Sequence, residues 1–454
     1  MSDVKSTTLD AIVLSTAQSD RYRLQVKILA SMYIGYGAMM VSRQIVTILS
    51  PALLADASLG LTKTNIGDFL AYGTIGALVG KVIWGPLADR IGGRLTIFIG
   101  ILLTALLVAG FGLSANVMSF TVLSFLLYCT KSSGWPGMTK LVGHWYHPHK
   151  YGRVWGILST SSRASVVLGT LFFGWLLSQM SWRMVAFIST GVALLIAAVC
   201  LRTLKDKPED PEFLNYETET ENLEVVTSSN DERNDHPLQM FTLVQSLFVF
   251  AKSLRVWLVI VMLMLLTCLM AFLDFVPVYL MEVFKLTPSK ASMASSVFPV
   301  GSLAGLLLSV AFYDRFSKNV LKRVLTIALA GATASVLLLR FLPNLNLNPE
   351  QNFLVALIMI LSFGLMISPA YYIPMSIFSI EFGGPFSATL ICLIDAFGFA
   401  ASASFGFIGG RLADSAGGWA SFMNMVILLS AIATASVWMF MHREYKASIK
   451  QPAH

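Results

Sequence analysis

GPLADRIGGR, residues Gly85 to Arg94, decides the fold. It is a short charged stretch between two long apolar runs, which reads as a tight turn joining two membrane-spanning helices. Gly85 and Pro86 are expected to let those helices close on one another. Asp89 is placed to accept from the first backbone amides of a neighbouring helix, and Arg90 and Arg94 hold the turn at the water boundary. All of these except Pro86 are candidate gating residues.

Composition sets the class. Of the 454 residues, 56% are hydrophobic and 13% charged, against roughly a quarter charged in soluble domains. With a mean hydropathy of +0.70, an ordinary soluble domain is excluded. The length leaves room for about twelve spans of roughly 20–25 residues. Cys129, Cys200, Cys268 and Cys392 all lie in apolar runs without a CxxC pair, which speaks against a disulfide framework or a metal site. The N-terminus lacks a basic start followed by a short apolar run, so no cleavable signal is expected. With no nucleophile–base motif, metal cluster or phosphate-cradling loop, neither an enzyme nor a cofactor is expected.

The net charge of +7 is distributed unevenly. Of the 32 lysines and arginines, 21 fall in the N-terminal segment, alternate loops or the C-terminus, and six on the opposite side. That asymmetry predicts a multi-pass cell-membrane protein, in the inner membrane if bacterial, with both termini cytoplasmic. The partner is then the lipid bilayer and not nucleic acid, and a monomer is expected. The remaining five cations lie inside spans.

An all-α membrane protein of twelve transmembrane helices follows, in two pseudo-symmetric six-helix bundles. The first six spans are expected at 28–54, 65–87, 94–115, 118–143, 153–179 and 184–201. The second six are expected at 256–280, 291–312, 324–342, 352–378, 387–409 and 420–441. The domain boundaries are then a cytoplasmic N-terminus (1–27), a first bundle (28–202), a linker (203–255), a second bundle (256–442) and a cytoplasmic C-terminus (443–454). Residues 203–237 hold 11 of the 25 acidic residues without an apolar period, as a flexible linker does. The stretch from Phe241 to Trp257 reads as an amphipathic helix along the membrane surface. Gly76, Gly80, Asp89 and Arg90 each match a residue 225 positions later, namely Gly301, Gly305, Asp314 and Arg315. This internal repeat relates two parallel units around a central cavity, and it makes Asp314 and Arg315 gating candidates too. Lys81 has no such counterpart, since Leu306 stands there.

The charges within the spans carry the functional signal. Arg43, Lys81, Lys131, Lys140 and Arg163 all belong to the first half. Each costs roughly 2.5–3.5 kcal/mol near a helix centre, so such residues face a cavity or a partner. Lys140 lies close enough to a span end to snorkel. Arg43, Lys131 and Arg163 lie about halfway along their spans, and with Lys81 they are the candidate substrate ligands. The main intramembrane acids, Asp274 and Asp395, belong to the second half and are candidates for coupling or ion pairing. Asp395 either pairs with Arg43 or Arg163, or titrates and couples transport to protons. Tyr371, Tyr372, Tyr279 and Trp135 are positioned as hydroxyl or indole donors, although aromatic residues in spans usually pack. An excess of positive charge in one half suits a small anionic substrate, held by the planar fork of arginine and the point charge of lysine.

The turn GPLADRIGGR, flanked by apolar spans, resembles the loop signature of the major facilitator superfamily. More narrowly, the chain resembles the organophosphate:phosphate antiporter family, on four stretches. These are IGYGAMMVSRQ, GKVIWGPLADR, GWPGMTKLVGHWY (Gly134 to Tyr146) and LDFVPVYL (Leu273 to Leu280). The resemblance places Arg43 at the family's phosphate-binding arginine and Lys81 at its span 2 lysine. It also exposes departures. The family's second arginine, five residues before the span 7 aspartate, falls at Leu269, and its span 5 histidine falls at Ser162, beside Arg163. The expected function is alternating-access transport of a small organic anion, a phosphate ester by this resemblance, with inorganic phosphate or protons as coupling ion. The alternatives are a proton-coupled carrier of carboxylates or zwitterions, and a sensor that binds sugar phosphates without moving them.

Overall fold

The computed structural model describes residues 2–147, 150–208, 238, 241–312, 316–345, 348–383 and 386–450. Among them every regular element is helical. Eleven helices are long and apolar enough to cross a bilayer, and a twelfth crossing is made by two shorter helices in series. Spans 1 to 3 are Ser2–Ala55, Lys63–Ile91 and Gly93–Leu113; span 4 is Val117–Lys131 followed by Gly134–Trp145; spans 5 and 6 are Tyr151–Leu176 and Trp182–Thr203. A short helix, Leu243–Lys252, precedes the second half. There span 7 is Leu254–Met270, a 3₁₀ turn Ala271–Asp274 and Val276–Val283, and span 8 is Pro288–Ala294 followed by Val297–Phe312. Spans 9 to 12 are Lys318–Phe341, Pro349–Gly383, Ser387–Asp414 and Gly418–Lys450. The chain ends and the link between halves share one side of the bundle, the proximal side; the other is distal.

Both breaks near the middle of the bundle have local causes. Pro136 lacks an N–H and its ring crowds the carbonyl four residues back, so span 4 interrupts at Ser132 and Ser133. Pro277 does the same in span 7, where the turn tightens to 3₁₀ over Ala271–Asp274. These breaks sit at Lys131 and Asp274, two of the charges expected to matter.

The internal repeat is a packing device. A Cβ at Gly76 or Gly80 would run into the carbonyl oxygens of Phe125 and Cys129 on span 4. A Cβ at Gly301 or Gly305 would run into those of Leu361 and Leu365 on span 10. Spans 2 and 8 therefore lie backbone-close against their partners in the same way in each half. Large apolar side chains such as Leu106, Leu195, Ile327 and Leu428 are exposed on the outside, as a lipid-facing belt requires.

The halves meet on the distal side. Gly67 packs against the backbone of Gly406 and Gly410. Lys63 bonds Glu282 at 3.0 Å, Arg411 bonds Asp68 at 3.0 Å, and Asp414 accepts from the Thr64 amide at 2.7 Å, capping span 2 from the other half. Ser289 and Ser292 donate to the carbonyls of Gly174 and Ile48, both at 2.7 Å. One hydrophobic core runs unbroken through the distal part of the first half into the second, whereas the proximal part of the first half has its own core around Ile97, Met138 and Trp145. Most of the polar latches between the halves therefore lie on the distal side. At the distal surface, hydrogen bonds from Ser58 and the Trp182 indole hold the Asp56 carboxyl below its ordinary value.

The turn that revealed the fold is built differently from its reading. Span 2 continues to Ile91, Gly92 reverses the chain at φ 82°, and span 3 begins at Gly93. A Cβ at Gly85 would meet nothing within 4 Å, so its smallness closes no helix contact. The acceptor for the first amides of span 3 is Asp206, at 2.8 Å from the Arg94 nitrogen. Asp89 instead pairs with Lys140 at 2.5 Å, so Lys140 has an ionic partner at the turn. Arg94 donates to the Leu201 carbonyl at 2.6 Å, and Arg90 is exposed. Asp314, Arg315 and most of the acidic linker lie outside the described residues.

Candidate substrate-binding site

One cavity of about 220 Å³ lies at the centre, lined by side chains from spans 1, 2, 4, 5, 7, 8, 10 and 11. It gathers Arg43, Lys131 and Arg163 from the first half with Asp274, Tyr371 and Tyr372 from the second. Asp274 is the one acidic residue among the lining side chains. Its carboxylate accepts from Thr47 at 2.8 Å, one turn beyond Arg43 on the same helix face.

Each arginine rests on an aromatic ring. The Arg43 guanidinium lies 4.8 Å from the centroid of Tyr128, and that of Arg163 lies 4.1 Å from the centroid of Tyr372, across the interface between halves. Such contacts favour the cation and leave its N–H groups available to an anion. Arg163 also donates to Ser162 at 2.9 Å and to the Ser159 carbonyl at 3.2 Å. The Nε atoms of both arginines are buried and have no hydrogen-bond partner among the described residues. A buried donor left unmade costs about 1–3 kcal/mol, and more when charged, so these groups point to an anionic ligand.

Several expected residues stand elsewhere. Lys81 does not line the cavity; it pairs with Asp395 at 2.8 Å, and its Nζ lies 4.3 Å from the Phe399 centroid. Asp395 thus has a cationic partner in the other half, but a different one from Arg43 or Arg163. The reason is depth, because Lys81 and Asp395 both lie nearer the proximal ends of spans 2 and 11. Tyr279 packs edge-on to Trp419 near the distal end, away from the cavity. Trp135 lies one turn proximal to Lys131, beyond the lining. Leu269 is fully buried in the core, while its neighbours Thr267, Met270 and Ala271 face the cavity. Tyr128, Gln44 and Thr47 were missed as neutral residues within apolar runs, although Tyr128 stands three positions before Lys131 and so shares its helix face.

Residues 32–382 match the Major Facilitator Superfamily. The chain belongs to that superfamily. Within it, the chain is 25% identical over 305 residues to a probable hexose phosphate transport protein of Chlamydia pneumoniae, covering 65% of this chain and 66% of that one. The chain therefore spans about two thirds of that relative's length. It is 23% identical over 368 residues to the glycerol-3-phosphate transporter of Bacillus subtilis, with 76% of each chain covered. Among solved structures, a bacterial homologue of the human lysosomal transporter Spinster, in an inward-facing and unoccupied conformation, superposes with a TM-score of 0.65 at 17% identity. That superposition covers 92% of this chain and 97% of the other. Fold and relatives are those of transporters rather than enzymes.

Proposed function

We propose that this superfamily member is a secondary active transporter of a small phosphate ester, working by alternating access. The observation that carries this is the cavity itself, where Arg43, Lys131 and Arg163 converge, two buried guanidinium donors are unmatched, and one carboxylate faces them. A phosphate monoester supplies up to two negative charges and three acceptor oxygens, enough to engage both arginine forks and the lysine. The similarity to hexose phosphate and glycerol-3-phosphate carriers supports the same substrate class. Because Leu269 is packed in the core, the second charge comes from Arg163 or Lys131, within the same half as Arg43.

Alternating access is supported by the latched distal side and the separate proximal core. The excess of lysine and arginine in the proximal loops supports cytoplasmic termini. Lys81 occupies Asp395, which leaves Asp274 as the acid available to a substrate amine. That residue keeps a zwitterion carrier as the second reading.

Reconstituted liposomes test this. Uptake of glycerol 3-phosphate or glucose 6-phosphate, stimulated by internal phosphate, is the expected result, and stimulation by a proton gradient instead would make protons the coupling ion. Uptake of carboxylates or amino acids without any phosphate ester would overturn the substrate class. Saturable binding without uptake would turn the carrier into a sensor.

A further inference from the structure

We propose that Tyr36, Trp135 and Trp155 form an aromatic platform at the proximal mouth of the cavity, which takes the ring of a sugar phosphate while the cations hold its phosphate. The proposal rests on the phosphate-ester reading and narrows it from any small ester to sugar phosphates.

The helical register puts Tyr36 and Trp155 on the cavity's faces of spans 1 and 5. Tyr36 precedes Arg43 by seven positions in span 1, and Trp155 precedes Ser162 by seven in span 5. Seven residues are close to two full turns, so each aromatic shares its face with a cavity residue about 10 Å along the axis. Trp135 follows Lys131 by four positions across the break in span 4, and its place is fixed by its ring contacts with Trp155 and Tyr36. In spans 1 and 5 the chain runs from proximal to distal, and in span 4 the reverse. All three offsets therefore point to the proximal side, and the aromatic layer lies directly beneath the cationic one.

The rings are assembled with each other. Trp135 and Trp155 stack with centroids 4.4 Å apart and planes at 27°, and Tyr36 meets Trp135 edge-on at 6.2 Å and 64°. Gly134 makes room for this group, since a Cβ there would lie 2.7 Å from the Tyr36 ring. Trp155 backs one face of Trp135, yet Trp135 remains 47% exposed. A supported indole with an open face, next to a charge cluster, is the arrangement that a pyranose uses. Its axial C–H face packs on the ring while its hydroxyls stay wet. A three-carbon chain anchored by its phosphate ends short of the platform, whereas a hexose reaches it.

The test is binding to the purified full-length protein, with glucose 6-phosphate, glycerol 3-phosphate and inorganic phosphate as probes and thermal melting as the folding control. Wild type is expected to prefer glucose 6-phosphate over glycerol 3-phosphate. Trp135→Leu should weaken glucose 6-phosphate about five- to tenfold, close most of that gap, and leave inorganic phosphate within about twofold. Trp135→Phe should keep most of the preference. Should Trp135→Leu fail to fold, Trp155→Leu, which removes the backing ring, and the blue shift of wild-type tryptophan emission on adding glucose 6-phosphate read the same contact. A preference that survives both leucine variants would overturn the platform, as would equal weakening of all three ligands, no preference in wild type, or an unchanged emission spectrum. Those results leave phosphate binding by the wild type intact; a wild type that binds none of the three phosphate compounds refutes the phosphate reading and the platform together.

Discussion

The two halves share a scaffold and differ in chemistry. In each, two glycines one turn apart press a helix against the backbone of its neighbour, Gly76 and Gly80 in the first half, Gly301 and Gly305 in the second. The charges do not follow that symmetry. Arg43, Lys131 and Arg163 line the cavity from one side, and Asp274 faces them from the other. Packing is repeated because both halves must solve the same close approach in lipid. The charges are not repeated, as the proposed binding of one small anion mainly from the first half requires.

The largest effect should come from breaking the shared part. Gly80→Val and Gly305→Val each drive a side chain into a carbonyl of the partner helix, so both should abolish or sharply lower the yield of folded protein. A severe loss in one half with tolerance in the other, read by melting temperature and gel filtration, would show that the repeat does not carry equal packing. Next come attempts to restore charge symmetry. Leu269→Arg buries a cation in the core and should lower the melting temperature strongly, since an unpaired buried charge costs several kcal/mol. Met270→Arg reaches the cavity and should instead tighten phosphate binding while slowing turnover. A stable, active Leu269→Arg protein would contradict the assigned faces of span 7.

Smaller effects belong to the contact between halves on the proximal side. Lys81 and Asp395 are partly exposed, so their bridge is worth about 0–1 kcal/mol. Lys81→Met and Asp395→Asn should change transport rate severalfold with substrate affinity held within about threefold. The exchanged pair Lys81→Asp with Asp395→Lys should recover much of the rate, and a tenfold loss of affinity in either single variant would move these residues into the binding site. The smallest effect is expected at the turn. Asp89→Asn and Lys140→Met remove the same exposed pair and should slow turnover to a similar, modest extent. A difference of tenfold between them would show that Asp89 has another partner during transport.

The fold was legible because long apolar runs and alternating loop charge leave few ways to cross a bilayer. The breaks in spans 4 and 7 were not read from the sequence, where both spans were expected to run unbroken, although Pro136 and Pro277 mark them. The cations of the site were legible for an energetic reason, as a charge in a span is too costly to be incidental. What the sequence could not supply was partnership across the halves. Asp395 reads from sequence as a partner of Arg43 or Arg163, or as a titrating group, and only the packing of spans 2 and 11 selects Lys81. Neutral residues at and beside the cavity were hidden for the opposite reason, since Tyr128, Gln44 and Thr47 are inexpensive in a span. Asp206 was overlooked as the acceptor for span 3 because it follows span 6, far from the turn in sequence.

The central claim is that the first half holds the anion, with Arg43 as its main anchor. Equilibrium affinity for glycerol 3-phosphate in Arg43→Ala, Arg43→Lys and Arg163→Ala, each checked by thermal melting, tests it most directly. A charge-assisted hydrogen bond contributes about 1.5–3 kcal/mol, so Arg43→Ala should weaken binding at least tenfold. Arg43→Lys keeps the charge without the planar fork and should recover only part of that loss, with Arg163→Ala weaker than wild type but tighter than Arg43→Ala. Wild-type affinity in a well-folded Arg43→Ala protein would contradict the account.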